Sequence, residues 1–85
     1  MEEKYLAVFA SYTHTSMLNR KLRDMKVESE IISTPSKISV GCSRSVKFNA
    51  SDYNTVIQII NQNNLSCRGI FGKVTYKGYI TYVFV

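Results

Sequence analysis

Two stretches with helical spacing, residues 13–25 and 51–62, each stand between short runs with strand character, and this alternation leaves few folds open. Residues 4–10 (KYLAVFA) form an apolar run rich in aromatic and β-branched side chains, the mark of a buried strand. In residues 13–25 (THTSMLNRKLRDM), Met17, Leu18, Leu22 and Met25 fall on one stripe and Asn19, Arg20, Arg23 and Asp24 opposite it. Ser11 or Thr13 supplies the hydroxyl that caps such a helix, and Arg20, Lys21, Arg23 and Lys26 suit its C-terminal half.

Residues 28–33 (ESEIIS) read as a second strand. Pro35 must end it, because proline lacks a ladder donor and holds its predecessor extended. Residues 34–42 are then a loop or a short turn of helix, and 43–48 (SRSVKF) a third strand. In residues 51–62 (SDYNTVIQIINQ), Ser51 is the expected cap, Tyr53, Val56, Ile57 and Ile60 the inner stripe, and Asn63-Asn64 the stop signal. Lys77-Gly78 predicts a tight two-residue turn between strands 70–76 and 79–84, with Tyr76 opposite Tyr79 and Val74 opposite Thr81. The order β-α-β-β-α-β-β is that of an α+β, ferredoxin-like βαββαβ sandwich: an antiparallel sheet, two helices on one face and an extra C-terminal edge strand.

The chain has 85 residues, enough for one domain over 1–85 with no linker. Eleven Lys+Arg against six Asp+Glu leave a net charge of +5, and 45% apolar content is too high for disorder. The opening Met1-Glu2-Glu3-Lys4 is acidic where an export signal is basic, and the apolar run after it is too short to span a membrane. A cytoplasmic location is expected, with no membrane association. There the two cysteines, Cys42 and Cys67, would be thiols.

If the first strand runs upward, three features share the top of the sheet: the first helix N-terminus with Thr13 and His14, the loop carrying Cys42, and Cys67. Cys42 follows Gly41, with Lys37 before it and Arg44 after it. Cationic neighbours favour the thiolate, which is the nucleophile, and glycine permits close approach to sulfur. Cys42 can equally be a small buried hydrophobe at a strand start. Cys67 is either a resolving thiol or a strand-starting residue, and His14 either a partner for an anion or a surface side chain. Two cysteines and one histidine fall short of a structural zinc set, so no metal and no cofactor are expected. The basic excess is scattered and the third strand lacks the RNA-recognition pattern, which makes nucleic acid an unexpected partner. No phosphate-binding glycine loop, buried carboxylate pair or Ser/His/Asp set supports catalysis.

The segment Thr34-Pro35-Ser36-Lys37-Ile38-Ser39-Val40-Gly41-Cys42, preceded by Ile31-Ile32, resembles the small bacterial selenium/sulfur carrier protein-like family. That family orders a proline, a basic residue, an Ile-Ser pair and a Gly-Cys between its second and third strands, and Phe9-Ala10-Ser11 is similar to its opening. The resemblance runs from about Tyr5 to Phe48. It implies that Cys42 carries sulfur or selenium as a persulfide-type adduct, with Lys37 and Gly41 the flanking motif positions; Pro35, Ser39 and Arg44 complete the expected supporting loop, and Thr13, His14 and Cys67 are the assisting residues that the shared edge suggests. It implies donor and acceptor proteins as partners, with turnover left to them, so the chain itself is not expected to be an enzyme. Two features depart from the pattern: Ser43 stands where the family often has glycine, and the C-terminal hairpin is longer than the family needs. The competing expectation is a small interaction module with structural cysteines, pairing as a homodimer or with a partner through the sheet edge at Tyr76, Tyr79, Tyr82 and Phe84.

Overall fold

A computed structural model of the chain describes residues 3–38 and 44–85. The elements follow the expected order: β1 (Lys4–Phe9), α1 (Tyr12–Asp24), β2 (Ser29–Ser33), β3 (Arg44–Asn49), a 3-10 turn (Ala50–Asp52), α2 (Tyr53–Gln62), β4 (Cys67–Tyr76) and β5 (Tyr79–Phe84). The strands form one antiparallel sheet in the order β2-β3-β1-β4-β5. The βαββαβ core is ferredoxin-like, and β5 extends the sheet beyond β4.

Alternation along the strands divides the sheet into two faces. Ala7 and Phe9 of β1, Val46 and Phe48 of β3 and Ile70 of β4 meet Leu18 and Leu22 of α1 and Val56, Ile59 and Ile60 of α2 in one contiguous core. Each of the fully buried leucines contributes about 1.5–3 kcal/mol relative to exposure. Tyr5 closes the bottom of this layer, edge-on to Phe48 at 6.1 Å and to Tyr53 at 6.0 Å.

Both helices stop in the same way. Lys26 takes φ 60° after α1, its N–H bonding Arg23 O (2.9 Å) while Val27 N–H bonds Leu22 O (2.8 Å). Asn64 takes φ 52° after α2, and Leu65 N–H bonds Ile60 O (3.0 Å). Each is a Schellman cap whose next residue packs an apolar side chain back on the core. Met25 is the α1 cap residue and is exposed, so it leaves the expected inner stripe, and buried Thr15 joins Leu18 and Leu22 instead. Ser11 is the N-cap. Ser51 is not the cap of α2: the 3-10 turn inserts between β3 and the helix, and Asp52 takes the cap position.

The hairpin register matches expectation, with Tyr76 opposite Tyr79 and Val74 opposite Thr81. Lys77 (φ 48°) and Gly78 (φ 82°) both lie in the left-handed region, as this turn demands. β4 begins earlier than residue 70. Its first residues pair Cys67 with Phe9 and Gly69 with Val8, leaving Arg68 as the extra residue of a bulge. Gly69 has φ 153°, which strains any side chain, and a Cβ there would stand 2.6 Å from the Phe84 ring and displace it.

On the helix-free face, Leu6 and Val8 are also buried. The sheet curls enough for Ile32 of β2 and Tyr82 of β5, on strands at opposite edges, to line one cavity of about 220 Å³ with Leu6, Lys4, Lys47 and Lys73.

Candidate functional site

The upper rim of the sheet is set by register. Ser33 pairs with Arg44, Arg44 with Phe9, and Phe9 with Cys67, so one row crosses four strands. Neighbouring strands lie about 4.8 Å apart, which puts Arg44 and Cys67 roughly 10 Å from one another across β1. The N-terminus of α1 follows β1 at this same end, because only two residues separate Phe9 from Tyr12.

Arg44 is exposed, and its Nη1 donates to Ser33 Oγ at 3.4 Å, a long contact. Ser45, next in the chain, is fully buried and shares a 2.7 Å hydroxyl–hydroxyl hydrogen bond with buried Thr34. This pair ties the first residue after β2 to β3 beneath the rim. Pro35 O then accepts Ile38 N–H at 2.9 Å, closing a turn over residues 35–38. The expected loop is therefore a hydrogen-bonded turn at its start. Ser39, Gly41 and Cys42 lie outside the described residues.

The Lys37 ammonium donates to the Ile80 carbonyl of β5, a contact across the helix-free face between opposite ends of the sheet. The curl of the sheet makes that reach possible, and no local sequence signal announces it.

Thr13 is exposed in the first turn of α1. His14 is half-buried, and its Nδ1 accepts the Ser66 N–H at 2.9 Å. A ring nitrogen that accepts carries no proton, so neutral His14 has its hydrogen on Nε2. His14 thereby pins the α1 N-terminus to the residue before Cys67. Ser66 was missed from sequence, where only its adjacency to Cys67 marks it.

Cys67 is half-buried and packs against the core, with Sγ 3.5 Å from Gly69 O. Desolvation pushes its thiol pKa up, outweighing smaller lowering effects of the Gly69 and Val8 backbone. At neutral pH Cys67 is a protonated, weakly nucleophilic thiol. The structure thus brings Arg44, Cys67, His14 and the α1 N-terminus to one rim and sends Lys37 toward β5. Among the described residues, no group of three His, Cys, Asp or Glu side chains is arranged to hold a metal, and no helix is long and apolar enough to cross a membrane.

A family model described as "Putative Se/S carrier protein-like" matches residues 4–72. The chain belongs to this Se/S carrier protein-like family. The match covers β1 through the first half of β4, including the turn at Pro35, the cysteine at position 42 and the whole rim row. It stops before the Lys77-Gly78 turn and β5. No curated protein and no solved structure matches the chain.

Proposed function

We propose that the chain carries reactive sulfur or selenium as a persulfide-type adduct on Cys42, taking it from a donor enzyme and passing it to an acceptor protein. The observation that carries this reading is the family match, which spans the Gly41-Cys42 segment. Loading is a sulfur transfer: the Cys42 thiolate attacks the outer sulfur of a donor's cysteine persulfide, a new S–S bond forms, and the donor thiolate leaves. Delivery repeats the step in reverse order, with an acceptor thiolate attacking and the Cys42 thiolate departing. No external oxidant or reductant enters, and turnover belongs to the partners.

The supporting chemistry lies in the rim. Two peptide units separate Cys42 from Arg44 in sequence, a tether of at most about 7 Å between Cα atoms. An exposed guanidinium at that range favours both the attacking thiolate and the anionic adduct. Bringing an ordinary thiol from a pKa of about 8.5 to about 7 takes only about 2 kcal/mol of differential stabilisation. Lys37 and Arg44 are the cations that flank Cys42 in sequence, and both favour its anionic adduct. Thr13 and His14 border the same rim, with His14 acting through the position of Ser66. A carrier of this kind works in the reducing cytoplasm, where both cysteines persist as thiols.

The test is loading by a cysteine desulfurase and free cysteine, read by intact mass and peptide mapping. Wild type gains the mass of one sulfur on the peptide containing Cys42. Cys42→Ser gains none and keeps its urea midpoint; an equally loaded Cys42→Ser variant contradicts the proposal.

A further inference from the structure

Among the described residues β5 is an edge strand of the sheet. The two-residue turn and the Val85 N–H to Ile70 O bond (3.0 Å) fix which residues face β4: Tyr79, Thr81, Val83 and Val85. The N–H and C=O groups of Ile80, Tyr82 and Phe84 therefore point away from the sheet. Lys37 occupies the carbonyl of Ile80. Those of Tyr82 and Phe84 have no neighbouring strand among the described residues.

The opposite edge is blunted. β2 carries Glu30, paired with Lys47 at 3.1 Å, and Ser29, whose hydroxyl bonds Asn19 at 2.7 Å. Such charged, pinned edges resist strand addition. On β5 Lys37 holds the Ile80 carbonyl, but the strand itself is unblunted beyond it: residues 79–85 contain no charge and no proline, and Tyr79 and Phe84 are 72% and 73% exposed. The chain beyond Asp52 has one sign of charge. No Asp or Glu follows Asp52 in the sequence, whereas Arg68, Lys73 and Lys77 do, and Lys37 reaches the strand from the other side. A second copy of the chain, with its own charge of +5, meets like charge at this edge.

We infer that β5 is a docking edge for an extended, acidic segment of a partner protein, which adds a sixth strand through the outward N–H and C=O groups of Tyr82 and Phe84. Main-chain bonds supply the attachment, and glutamates or aspartates alternating along the segment meet the positive field around β5, to which Lys73 and Lys77 contribute. The edge lies outside the residues matched by the family model, so it goes beyond the carrier reading and holds independently of Cys42.

The experiment uses the full chain and two capped synthetic strand peptides, one alternating valine with glutamate and one valine with lysine. Joining residues 1–66 to a synthetic 67–85 segment at Cys67 allows N-methylation of Tyr82, which removes the outward donor and keeps the side chain. The glutamate peptide is expected to bind at least about tenfold more tightly than the lysine peptide, and to slow amide exchange at Tyr82 and Phe84 by about tenfold. N-methyl-Tyr82 is expected to lose that binding, as is Lys73→Glu/Lys77→Glu, whose fold does not depend on the chemical ligation. Cys42→Ser is expected to bind normally. Equal affinity for the two peptides, or unchanged exchange at Tyr82 and Phe84, overturns the inference. So does a dimer of the free chain that N-methyl-Tyr82 dissociates, which gives the edge to a second copy. Tighter binding of single-stranded oligouridine than of the glutamate peptide, lost in the Lys73→Glu/Lys77→Glu variant, also overturns it.

Discussion

The hydroxyl pair Thr34–Ser45 is the bond that fixes the start of the cysteine loop, and its energy is measurable. Ser45 has no exposure, Thr34 has 8%, and their oxygens lie 2.7 Å apart. Thr34→Val keeps the branched shape and removes the hydroxyl. It leaves Ser45 Oγ buried without its partner, a penalty of about 1–3 kcal/mol. Ser45→Ala is milder, about 1 kcal/mol, because the slightly exposed Thr34 hydroxyl retains some access to water. The double variant removes both polar groups and should recover most of the loss, giving a coupling energy of about 1–2 kcal/mol. Urea unfolding at pH 7 reads this directly. With a slope of about 1–1.5 kcal/mol per molar for so small a domain, Thr34→Val lowers the midpoint by roughly 1–2 M. Single variants that each change stability by less than about 0.5 kcal/mol, or effects that simply add, refute the assignment of this pair as the loop's anchor.

Two further perturbations test the frame. Gly69→Ala forces a side chain into φ 153° and against the Phe84 ring, and should destabilise by about 2–3 kcal/mol in urea unfolding, less so in a Phe84→Ala background. The exposed Glu28 carboxyl is held below the usual range, first by its hydrogen bond from Lys4 (2.9 Å) and then by the lysine's charge. Its contribution to stability is present above the ordinary carboxylate pKa of about 4.3 and fades as pH falls through the lower folded value. Glu28→Gln should therefore be slightly less stable than wild type at neutral pH, and the urea midpoints should converge in acid; a gap that persists unchanged at low pH contradicts this.

The parts of the fold that the sequence made legible are those dictated locally. A strand-length apolar run, an i/i+4 stripe, the Ser11 cap, the Asn63-Asn64 stop and the Lys77-Gly78 turn each act within a few residues. Together they specify the element order and the hairpin register. What escaped depends on contacts between distant segments. The bulge at Arg68 lies in the pairing of β4 with β1, and Gly69 beside it packs against Phe84, a partner fifteen positions away. The 3-10 turn displaced the cap from Ser51 to Asp52 because Ala50 N–H bonds Glu3 O at 2.8 Å, anchoring the chain before the helix begins. The reach of Lys37 to the Ile80 carbonyl depends on curvature of the whole sheet, which five positions of local sequence do not encode. His14 and Cys67 do share an end, as strand direction required, but the link between them runs through the Ser66 backbone, which carries no sequence signature.

The central claim is that Cys42 is the activated thiol of the pair, and its alkylation rate as a function of pH tests this most directly. Cys67, with its burial-raised pKa, serves as the internal reference in the same mass spectrum. The account predicts fast labelling of Cys42 in the native protein with a midpoint below the ordinary thiol value of about 8.5, and slow labelling of Cys67 with a midpoint above it. A Cys42 that labels only in denaturant, or with the same pH profile as Cys67, contradicts the carrier assignment.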